Sequence, residues 1–461
     1  MTALVNAELE AAAGKQPLLA NAADNRIVAW RDRRAVRATE FLADISKVAA
    51  LLPDSGCAIN LCENRYAFLV SFCAAASRGQ ATLLPASRAP QAIADVRSSR
   101  LDSYLLGDAM SCLQDIDMIR LPELDGTNIE SAAGIPMLDP RQVVAIGFTS
   151  GSTSQPKPNT KTWDNFRIGS AQNIGVLESA IGLAVGQTAH VLATVPAQHM
   201  YGMELSVLLP LFGRFAVHSG KTFFPADVAR SLGQIPEPRL LVTTPVHLRA
   251  LLRADIELPT IAALVSATAP LPAELAREAE QRFSAPVVEM FGSTETCVIA
   301  HRRTAIQSDW NLYDDVDLKP QPDGTLVEAR HLSQPTNLQD IVEVLPGRKF
   351  RLHGRNADML EIAGKRASLA DLTRRLHALE GVLDAVVFQV EAGAGAPVRR
   401  IAALAVAPGR SEKELLAELR TQMDPVFLPR PLRVVKALPR NETGKLPLQA
   451  LVLALAEQAA P

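Results

Sequence analysis

The sequence predicts an α/β fold: a large N-terminal domain of layered α/β subdomains with a small β subdomain, followed by a small α+β domain at the C-terminus. Three observations predict it. Apolar-periodic helices alternate with short apolar strands over about the first 350 residues. Alternating apolar and polar residues with turn signals begin near residue 320. A compact strand and helix pattern then follows Arg355.

The first part of the chain alternates the two kinds of element. EFLADISKVAALL is typical of a helix, CAINLC of a strand, NRYAFLVSFCAAASRG of a helix and ATLLP of a strand. Strands resume after Pro140 with VVAIGF, HVLATV, RFAVHS, RLLVTT and ALVSAT, and most precede a helix such as PAELAREAEQRF. Strands that are separated by helices predict a mostly parallel sheet.

The last part of the chain has a different pattern. KPQPDGTLVEARHL and VEVLPGRKFRLHGR alternate apolar and polar residues, which predicts antiparallel strands of a small β subdomain. After Arg355 come a hairpin pattern DMLEIAGKRA, a helix SLADLTRRLHAL, strands VLDAVVFQV and RRIAALAVA, a helix SEKELLAELRTQM and a strand LRVVKAL. This unit is about a hundred residues long, the size of a separate domain.

The composition is that of a globular protein with balanced charge. The 47 Lys and Arg and 49 Asp and Glu residues leave a formal net charge of -2, and no long basic run occurs, which argues against nucleic acid as the main partner. The five cysteines are irregularly spaced without a CxxC pair, so we expect buried reduced thiols. No signal peptide and no membrane-spanning apolar run is found, so we expect a cytoplasmic protein.

The stretch GFTSGSTSQPKP follows an apolar strand and combines small residues, hydroxyls and one lysine. Small residues let backbone N–H groups approach a polyanion, hydroxyls add donors, and Lys157 adds positive charge. This predicts phosphate binding, with a polar surface loop as the alternative. The P-loop pattern GxxxxGK[ST] is excluded, because the residue directly before Lys157 is not glycine and the residue directly after it is Pro158. The candidate residues are Thr149, Ser150, Gly151, Ser152, Thr153 and Lys157.

A second stretch, VVEMFGSTETCV, ends a strand at Phe291 and turns at Gly292 into Ser293, Thr294 and Glu295. A hydroxyl can bind a phosphate oxygen and a carboxylate can bind magnesium. The carboxyl end of a strand is where open α/β sheets hold ligands. The alternative is a helix-capping turn.

Two further stretches carry isolated charges. Asp340 precedes a strand and Arg355 follows the next one, and a carboxylate can accept both vicinal hydroxyls of a ribose. The alternative is that both are solvated strand ends. In LPRNETGKLPLQAL, Gly444 and Lys445 form a turn before the last helix. A lysine in such a place is usually a solvated charge.

Taken in this order, the four stretches resemble the adenylate-forming superfamily of acyl-CoA synthetases, nonribosomal peptide adenylation domains and luciferases. The resemblance covers almost the whole chain. The family's phosphate-loop signature TSGSTGxPK stands here as TSGSTSQPK, from Thr149 to Lys157, and its YGxTE signature stands as FGSTE, from Phe291 to Glu295.

The resemblance implies a role for each matching position. The loop from Thr149 to Lys157 would bind the β- and γ-phosphates of ATP, Thr294 would contact the α-phosphate, and Glu295 would hold Mg2+. The adenine would lie beside Phe291, Gly292 and Ser293 and the backbone of SATAP, which contains Ala267 and Thr268.

The small domain and the ribose site follow from the same resemblance. Asp340 and Arg355 would bind the ribose, and Lys445 would reach from the small domain to the reacting carboxylate and the α-phosphate. The family's organisation implies an AMP-binding domain at 1–354, a hinge at 355–358 and a mobile C-terminal lid domain at 359–461.

The acid-binding side is predicted from PAQHMYGMELSV, which resembles the segment that borders the acyl pocket of the family. His199 and Gly202 are the candidate pocket residues, with a structural histidine as the alternative. VTTPVHL is similar to another pocket wall, or is a plain sheet edge.

The resemblance implies an AMP-forming acid–thiol ligase. A small carboxylic acid would be activated as acyl-AMP with release of pyrophosphate, and the acyl group would pass to coenzyme A or to the phosphopantetheine of an acyl carrier protein acting in trans. The alternative is a non-catalytic protein of the same fold that binds nucleotide or acyl-adenylate. The sequence departs from the family pattern at Ser154, Pro158, Gln339 and Ala357, and the first, third and fourth of these are compatible with the alternative. The retained motif residues argue against it; they are Lys157, Thr294, Glu295, Asp340, Arg355 and Lys445.

Overall fold

The computed structural model describes residues 14–54, 56–85, 88–111, 118–126, 134–149, 157–355, 359–362, 365–390, 400–423, 425–441 and 444–457. The chain divides into two compact units, Met1–Val316 with Ala329–Gln334, and Asp317–Glu328 with Pro335–Pro461. The predicted hinge at 355–358 lies mostly outside the described residues, and the predicted domain boundaries stay a prediction.

The first unit contains a six-stranded sheet with the order β10-β9-β5-β4-β6-β7. Its strands run parallel except β10, which is antiparallel to β9. A two-stranded ribbon, β1-β8, lies apart from it. The strands are β1 Gln16–Pro17, β4 Cys57–Asn60, β5 Thr82–Leu84, β6 Ser103–Gly107, β7 Ile119–Arg120, β8 Met137–Leu138, β9 Val143–Thr149 and β10 Lys157–Thr162.

The second sheet of this unit places nine described strands in the order β17-β16-β15-β14-β13-β11-β12-β2-β3. The six strands from β15 to β2 run parallel, which confirms the prediction of a mostly parallel sheet. The strands are β2 Ile27–Arg31, β3 Arg34–Arg37, β11 Ala189–Ala193, β12 Phe215–His218, β13 Arg239–Thr243, β14 Ala263–Ser266, β15 Val287–Ser293, β16 Cys297–Arg302 and β17 Trp310–Leu312.

Most of the predicted strands of the first unit are followed by a helix, as the sequence pattern indicated. Helix α2 is apolar on all sides and is buried along nearly its whole length, as such a composition requires. The sequence did not predict α4, which begins with reciprocal hydrogen bonds between Thr162 and Asn165 and ends at Gly182 in the left-handed region. The helices are α1 Ala38–Ala49, α2 Arg65–Ser77, α3 Pro90–Ser99, α4 Trp163–Ile181, α5 Met200–Gly202, α6 Leu209–Phe212, α7 Pro225–Leu232, α8 Pro245–Arg253 and α9 Ala273–Phe283, with a 3-10 turn at Ala22–Asp24 and a π-helical segment at Met203–Leu208.

The second unit contains the predicted β subdomain and α+β domain. A sheet β18-β19-β20 and a hairpin β21-β22 come first, then a hairpin β23-β24 and a sheet β25-β26-β27. The elements are β18 Val316–Gln321, β19 Gly324–Ala329, β20 Thr336–Leu338, β21 Asp340–Leu345, β22 Lys349–Arg355, β23 Met359–Ile362, β24 Lys365–Ser368, α10 Leu369–His377, β25 Asp384–Val390, β26 Arg400–Val406, α11 Glu412–Gln422, a 3-10 turn Pro425–Phe427, β27 Leu432–Val434 and α12 Leu448–Glu457.

The C-terminal part has its own apolar core. Leu372 and Leu376 of α10 and Leu415 and Leu419 of α11 pack with Ala403 of β26, and all five are at most 1% exposed. Burying a leucine side chain contributes about 1.5–3 kcal/mol, so four such residues in one cluster account for a separately packed unit.

The thiols match the prediction as far as they are described. Cys57, Cys62, Cys73 and Cys297 are buried and form no disulfide, whereas Cys112 lies outside the described residues. In the described part of the chain, no helix combines the length and the apolar character that crossing a bilayer requires. The cytoplasmic location stays a prediction.

Candidate functional site

The predicted phosphate loop is held at both ends by paired strands. Thr149 ends β9, Lys157 begins β10, and the two residues face each other in the antiparallel register. The segment between them is therefore closed at its base. Ser150, Gly151, Ser152, Thr153 and Ser154 lie outside the described residues, and their predicted contacts stay predictions.

The strand that leads into this loop lies directly against the Thr294 turn. A Cβ atom on Gly147 would be 2.7 Å from Thr294 Cγ2 and 3.4 Å from Met200 Cε. Only glycine allows the first of these approaches without a shift of a neighbour. The phosphate-loop strand, the FGSTE turn and the segment that begins at His199 thus meet at one place in the first unit.

The FGSTE turn is braced by its own polar groups. Ser293 N–H donates to Thr296 Oγ1 at 3.1 Å, and Thr296 N–H donates to Ser293 Oγ at 3.2 Å. The turn leads into strand β16, so the alternative that Ser293 or Thr294 caps a helix is wrong. Gly292 is required here, because a Cβ atom would lie 2.1 Å from the carbonyl oxygen of Cys297.

Phe291 lies at the carboxyl end of β15 with one side of its ring against Trp310. The two ring centroids are 5.2 Å apart at an interplanar angle of 49°. The Arg302 guanidinium lies 4.2 Å from the centroid of the Trp310 ring, which holds that indole in place. Phe291 itself is half-buried.

The SATAP segment leaves the neighbouring strand β14 in a strained conformation. Thr268 has a φ of 79°, which is rare for a β-branched residue and costs on the order of 1–3 kcal/mol. Ala267 is buried beside it, and the buried Ser266 hydroxyl has no hydrogen-bond partner in the described part of the chain. Strain and an unused buried hydroxyl at a strand end are typical of ligand sites.

The acid-side segment is fixed by Tyr201 and Gly202. A Cβ atom on Gly202 would lie 2.0 Å from the carbonyl oxygen of Pro196, so no other residue fits. The buried Tyr201 hydroxyl lies 3.1 Å from the Thr243 carbonyl and 2.9 Å from the Val265 carbonyl. Tyr201 therefore anchors the segment, while half-buried His199 immediately precedes α5.

The sequence motifs did not single out His247, although it lies in the VTTPVHL segment. Its Nδ1 atom is 2.8 Å from Thr194 Oγ1, and burial lowers the pKa of its imidazole. Thr244 caps α8 by accepting the His247 N–H at 3.3 Å, so His247 belongs to the first turn of that helix, at the carboxyl end of β13. The signal available in the sequence was the TTP capping pattern before the histidine.

The structure also contains two buried charges that the motifs did not indicate, Lys161 on β10 and Glu204 in the π-helical segment. Lys161 Nζ donates to the backbone oxygen of Glu295 at 2.5 Å. The Val298 N–H donates to both carboxylate oxygens of Glu204 at 3.1 Å. Lys161 lies outside the recognised motifs, and Glu204 lies within PAQHMYGMELSV without having been a candidate, so only the three-dimensional arrangement identifies the two residues.

In the second unit, Asp340 and Arg355 are brought together. They are register partners at the open end of the β21-β22 hairpin, and Asp340 is 8% exposed. The Thr325 hydroxyl donates to the backbone oxygen of Asp340 at 2.6 Å. Asp340 is therefore not a solvated strand end.

Lys445 lies on a tightly hydrogen-bonded turn. Its N–H donates to Asn441 Oδ1 at 2.8 Å, and Gly444 has a φ of 77°. Arg440 donates to the Gly444 carbonyl and pairs with Asp384, which ties the turn to β25. Lys445 is exposed, and its predicted contact with the reacting carboxylate and the α-phosphate stays a prediction.

Comparison with known proteins identifies the relatives of this chain. A family model described as AMP-binding enzyme matches residues 20–326. The 4-coumarate–CoA ligase of Halorhodospira halophila is 28% identical over 313 residues, which are 65% of this chain and 73% of that protein. The 4-coumarate–CoA ligase of Rhodobacter capsulatus is 27% identical over 305 residues, 65% of this chain and 74% of that protein.

A solved structure with the same fold carries a nucleotide. The o-succinylbenzoate coenzyme A synthetase of Bacillus subtilis, in complex with ATP and magnesium ion, aligns with a TM-score of 0.77 at 18% identity and covers 94% of this chain and 98% of that chain. This likeness shows the fold. Since the family model spans more than half of the sequence, the chain belongs to the AMP-binding enzymes of the adenylate-forming superfamily.

Proposed function

We propose that the protein activates a carboxylic acid with ATP to form acyl-AMP and pyrophosphate, and then transfers the acyl group to a thiol. The observation that carries the proposal is the contact of Gly147 with Thr294 and Met200, which brings the phosphate-loop strand, the FGSTE turn and the acid-side segment together. Membership of the AMP-binding family and the relatives named as CoA ligases support it.

The nucleotide side of the proposal assigns a role to each residue of the matching motifs. Thr149 and Lys157 flank the loop that would bind the β- and γ-phosphates, and Thr294 would contact the α-phosphate. Phe291 and the backbone at Thr268 would hold the adenine, at the carboxyl edge of β14 and β15. In the second unit, Asp340 and Arg355 would bind the ribose.

The first half-reaction is an in-line displacement. A carboxylate oxygen of the acid attacks the α-phosphorus of ATP, a phosphorus–oxygen bond forms, and the bond to the β-phosphate oxygen breaks, so that pyrophosphate leaves with the electron pair. Two anions must approach each other in this step. Lys445 would lower that repulsion as a compact positive charge placed between the acid and the α-phosphate.

The residues present fit a magnesium ion on the triphosphate. Glu295 offers a hard carboxylate ligand beside Thr294, and Mg2+ in phosphoryl-transfer sites usually takes one or two carboxylates together with substrate phosphates and water. When bound, the ion neutralises charge on the phosphate oxygens. In the described part of the chain, no group of three or more His, Cys, Asp or Glu residues is placed to hold a metal ion.

The second half-reaction requires a thiol to reach the acyl-adenylate. The thiol attacks the acyl carbon, its proton passes to a base or to water, and AMP leaves. The C-terminal domain would rotate about the segment near 355–358 to withdraw Lys445 and admit the thiol. The acceptor is coenzyme A or the phosphopantetheine of a carrier protein, and the relatives named as CoA ligases favour coenzyme A.

For the acid, we propose an aromatic or medium-length carboxylic acid. His199 and Gly202 would border the pocket, and the two relatives named for an aromatic acid support this class. Tyr201 would contribute its ring to the pocket wall, because its hydroxyl is already hydrogen-bonded to backbone carbonyls.

Acid-dependent exchange of labelled pyrophosphate into ATP tests the proposal. A panel of aryl, fatty and amino acids is compared with no acid, and wild type is compared with Lys445→Ala. Exchange that depends on the acid and is lost in the variant supports adenylate formation. ATP binding without exchange for any acid would instead indicate the alternative, a non-catalytic nucleotide-binding protein.

A further inference from the structure

A buried lysine lies beneath the predicted magnesium ligand. Lys161 on β10 is 3% exposed, and its Nζ atom donates to the backbone oxygen of Glu295 at 2.5 Å. Removing an ammonium from water is costly unless it is paired and hydrogen-bonded. Its position under the turn that carries Thr294 and Glu295 therefore needs a reason beyond packing.

A second buried ionisable residue, Glu204, supports the same segment from the acid side of the site. Glu204 is 3% exposed, accepts the Val298 N–H with both oxygens, and accepts Asn173 Nδ2 at 3.2 Å. Burial raises the pKa of the Glu204 carboxyl to about 7, and the charge of Lys161 acts in the opposite direction. Glu204 lies in the π-helical segment after Gly202, and such insertions in helices are frequent at functional sites.

Other buried groups make hydrogen bonds on the same side of the turn. His331 Nε2 lies 2.8 Å from the Thr296 carbonyl and must carry the proton, because a carbonyl oxygen only accepts. The Tyr313 hydroxyl donates to Asn173 Oδ1 at 2.6 Å, and burial raises the pKa of the Cys297 thiol to about 12. These neutral groups surround Glu204 and Lys161 on the buried side of the turn.

We propose that Lys161 and Glu204 are positioning residues that hold the segment Ser293–Val298 from its buried side, so that Thr294 and Glu295 keep one orientation toward the triphosphate and its metal. Lys161 follows the phosphate loop in sequence and Glu204 belongs to the acid-side segment, so one turn is linked to the elements that would bind both substrates. This inference rests on the proposed function.

The competing explanation is that the pair only stabilises the fold. A structural role would lower stability without separating the kinetic constants of the two substrates. A positioning role acts on the nucleotide and its metal and leaves acid binding nearly unchanged. The split between these constants is therefore the decisive measurement.

The experiment compares Lys161→Met and Glu204→Gln with a matched control. Lys47→Met is that control, because Lys47 Nζ also donates to the backbone oxygen of a glutamate, Glu123, at 2.8 Å, but on the surface. Lys161→Met is expected to raise the KM for ATP and the Mg2+ concentration for half-maximal exchange on the order of tenfold, with the KM for the acid within about twofold. Lys47→Met is expected to change none of them.

Glu204→Gln keeps the side-chain size and an acceptor for the Val298 N–H while it removes the charge. We expect a shift of about threefold in the same two constants and in the same direction. This variant decides the question by itself if Lys161→Met does not fold, as judged by near-ultraviolet circular dichroism. Equal changes in the ATP and acid constants of a folded variant, or no change in either, would overturn the proposal.

The positioning role can be tested even if the proposed function is wrong. If wild type shows no exchange with any acid, calorimetric titration with ATP in the presence and absence of Mg2+ replaces the kinetic readout. Binding of Mg2+-ATP on the order of tenfold weaker in Lys161→Met, with binding of metal-free ATP unchanged, supports the positioning role without reference to activity. Identical binding by variant and wild type rules it out.

Discussion

Gly147 lies against Thr294 so closely that a Cβ atom at residue 147 would be 2.7 Å from Thr294 Cγ2. Residue 147 belongs to the strand before the phosphate loop, and Thr294 belongs to the FGSTE turn. The contact places the strand that leads into the TSGSTSQPK motif against the FGSTE motif.

Gly147→Ala is expected to force Thr294 out of its position and to lower pyrophosphate exchange about 10- to 100-fold, because small misplacements of a reacting group are costly. Thr294→Ser removes the clashing methyl group but keeps the hydroxyl, so the double variant should regain much of the activity. Gly175→Ala is the control, since nothing lies within 4 Å of a Cβ atom at Gly175. A double variant no better than Gly147→Ala would contradict this explanation.

Lys445→Ala is expected to lower adenylate formation about 100- to 1,000-fold, the usual cost of losing one charge that stabilises a transition state. Transfer of the acyl group from synthetic acyl-adenylate to the thiol should remain within about tenfold of wild type, because the proposed rotation would withdraw Lys445 before this step. Lys436→Ala, at an exposed lysine of the same domain, serves as control. Equal losses in both half-reactions would refute the assignment of Lys445.

Glu295→Gln is expected to raise the Mg2+ concentration for half-maximal exchange by about tenfold or more, because an amide oxygen is a weaker ligand than a carboxylate. Chelation of divalent ions with EDTA should abolish exchange in wild type. Glu274→Gln is the matched control on the exposed side of α9, where Glu274 pairs with Arg277 at 2.7 Å. An unchanged Mg2+ requirement in Glu295→Gln would exclude this residue as a metal ligand.

Glu204→Gln is expected to change the pH dependence of stability. Burial raises the pKa of Glu204 from 4.5 to about 7, so between these values the folded protein holds a proton that the unfolded chain releases. The contribution of Glu204 to the free energy of unfolding of wild type therefore falls as pH rises from about 4.5 to about 7. The glutamine variant lacks this pH-dependent contribution. Its free energy of unfolding minus that of wild type should therefore increase by about 2 kcal/mol from pH 5 to pH 8.

Denaturant unfolding followed by tryptophan fluorescence measures this difference. Trp30, Trp163 and Trp310 are the three tryptophans of the chain, and all belong to the same unit as Glu204. Buried histidines of that unit, whose pKa values burial lowers, also change stability with pH, but they are present in both proteins and cancel in the difference; they are His190, His218, His247, His301 and His331. A difference between the variants that is constant with pH would show that Glu204 does not titrate near neutrality.

The sequence predicted those elements of the fold whose type depends on the residues of the element itself. The strands HVLATV, RLLVTT and ALVSAT became β11, β13 and β14, because continuous apolar runs between helices fit only buried parallel strands. The long helix α4 was missed, since its buried face is interrupted by Asn165, Ser170 and Asn173, which weakens the apolar period.

The sequence by itself determined the parts of the candidate site that are contiguous. Phosphate recognition uses neighbouring backbone N–H groups and small residues, so TSGSTSQPK and FGSTE can be recognised in the sequence as short motifs. Only the tertiary structure decided what supports them. Lys161 and Glu204 are far from Glu295 in the sequence, and the Tyr201 hydroxyl bonds to the ends of two distant strands, because buried polar groups find their partners wherever the packed sheets place them.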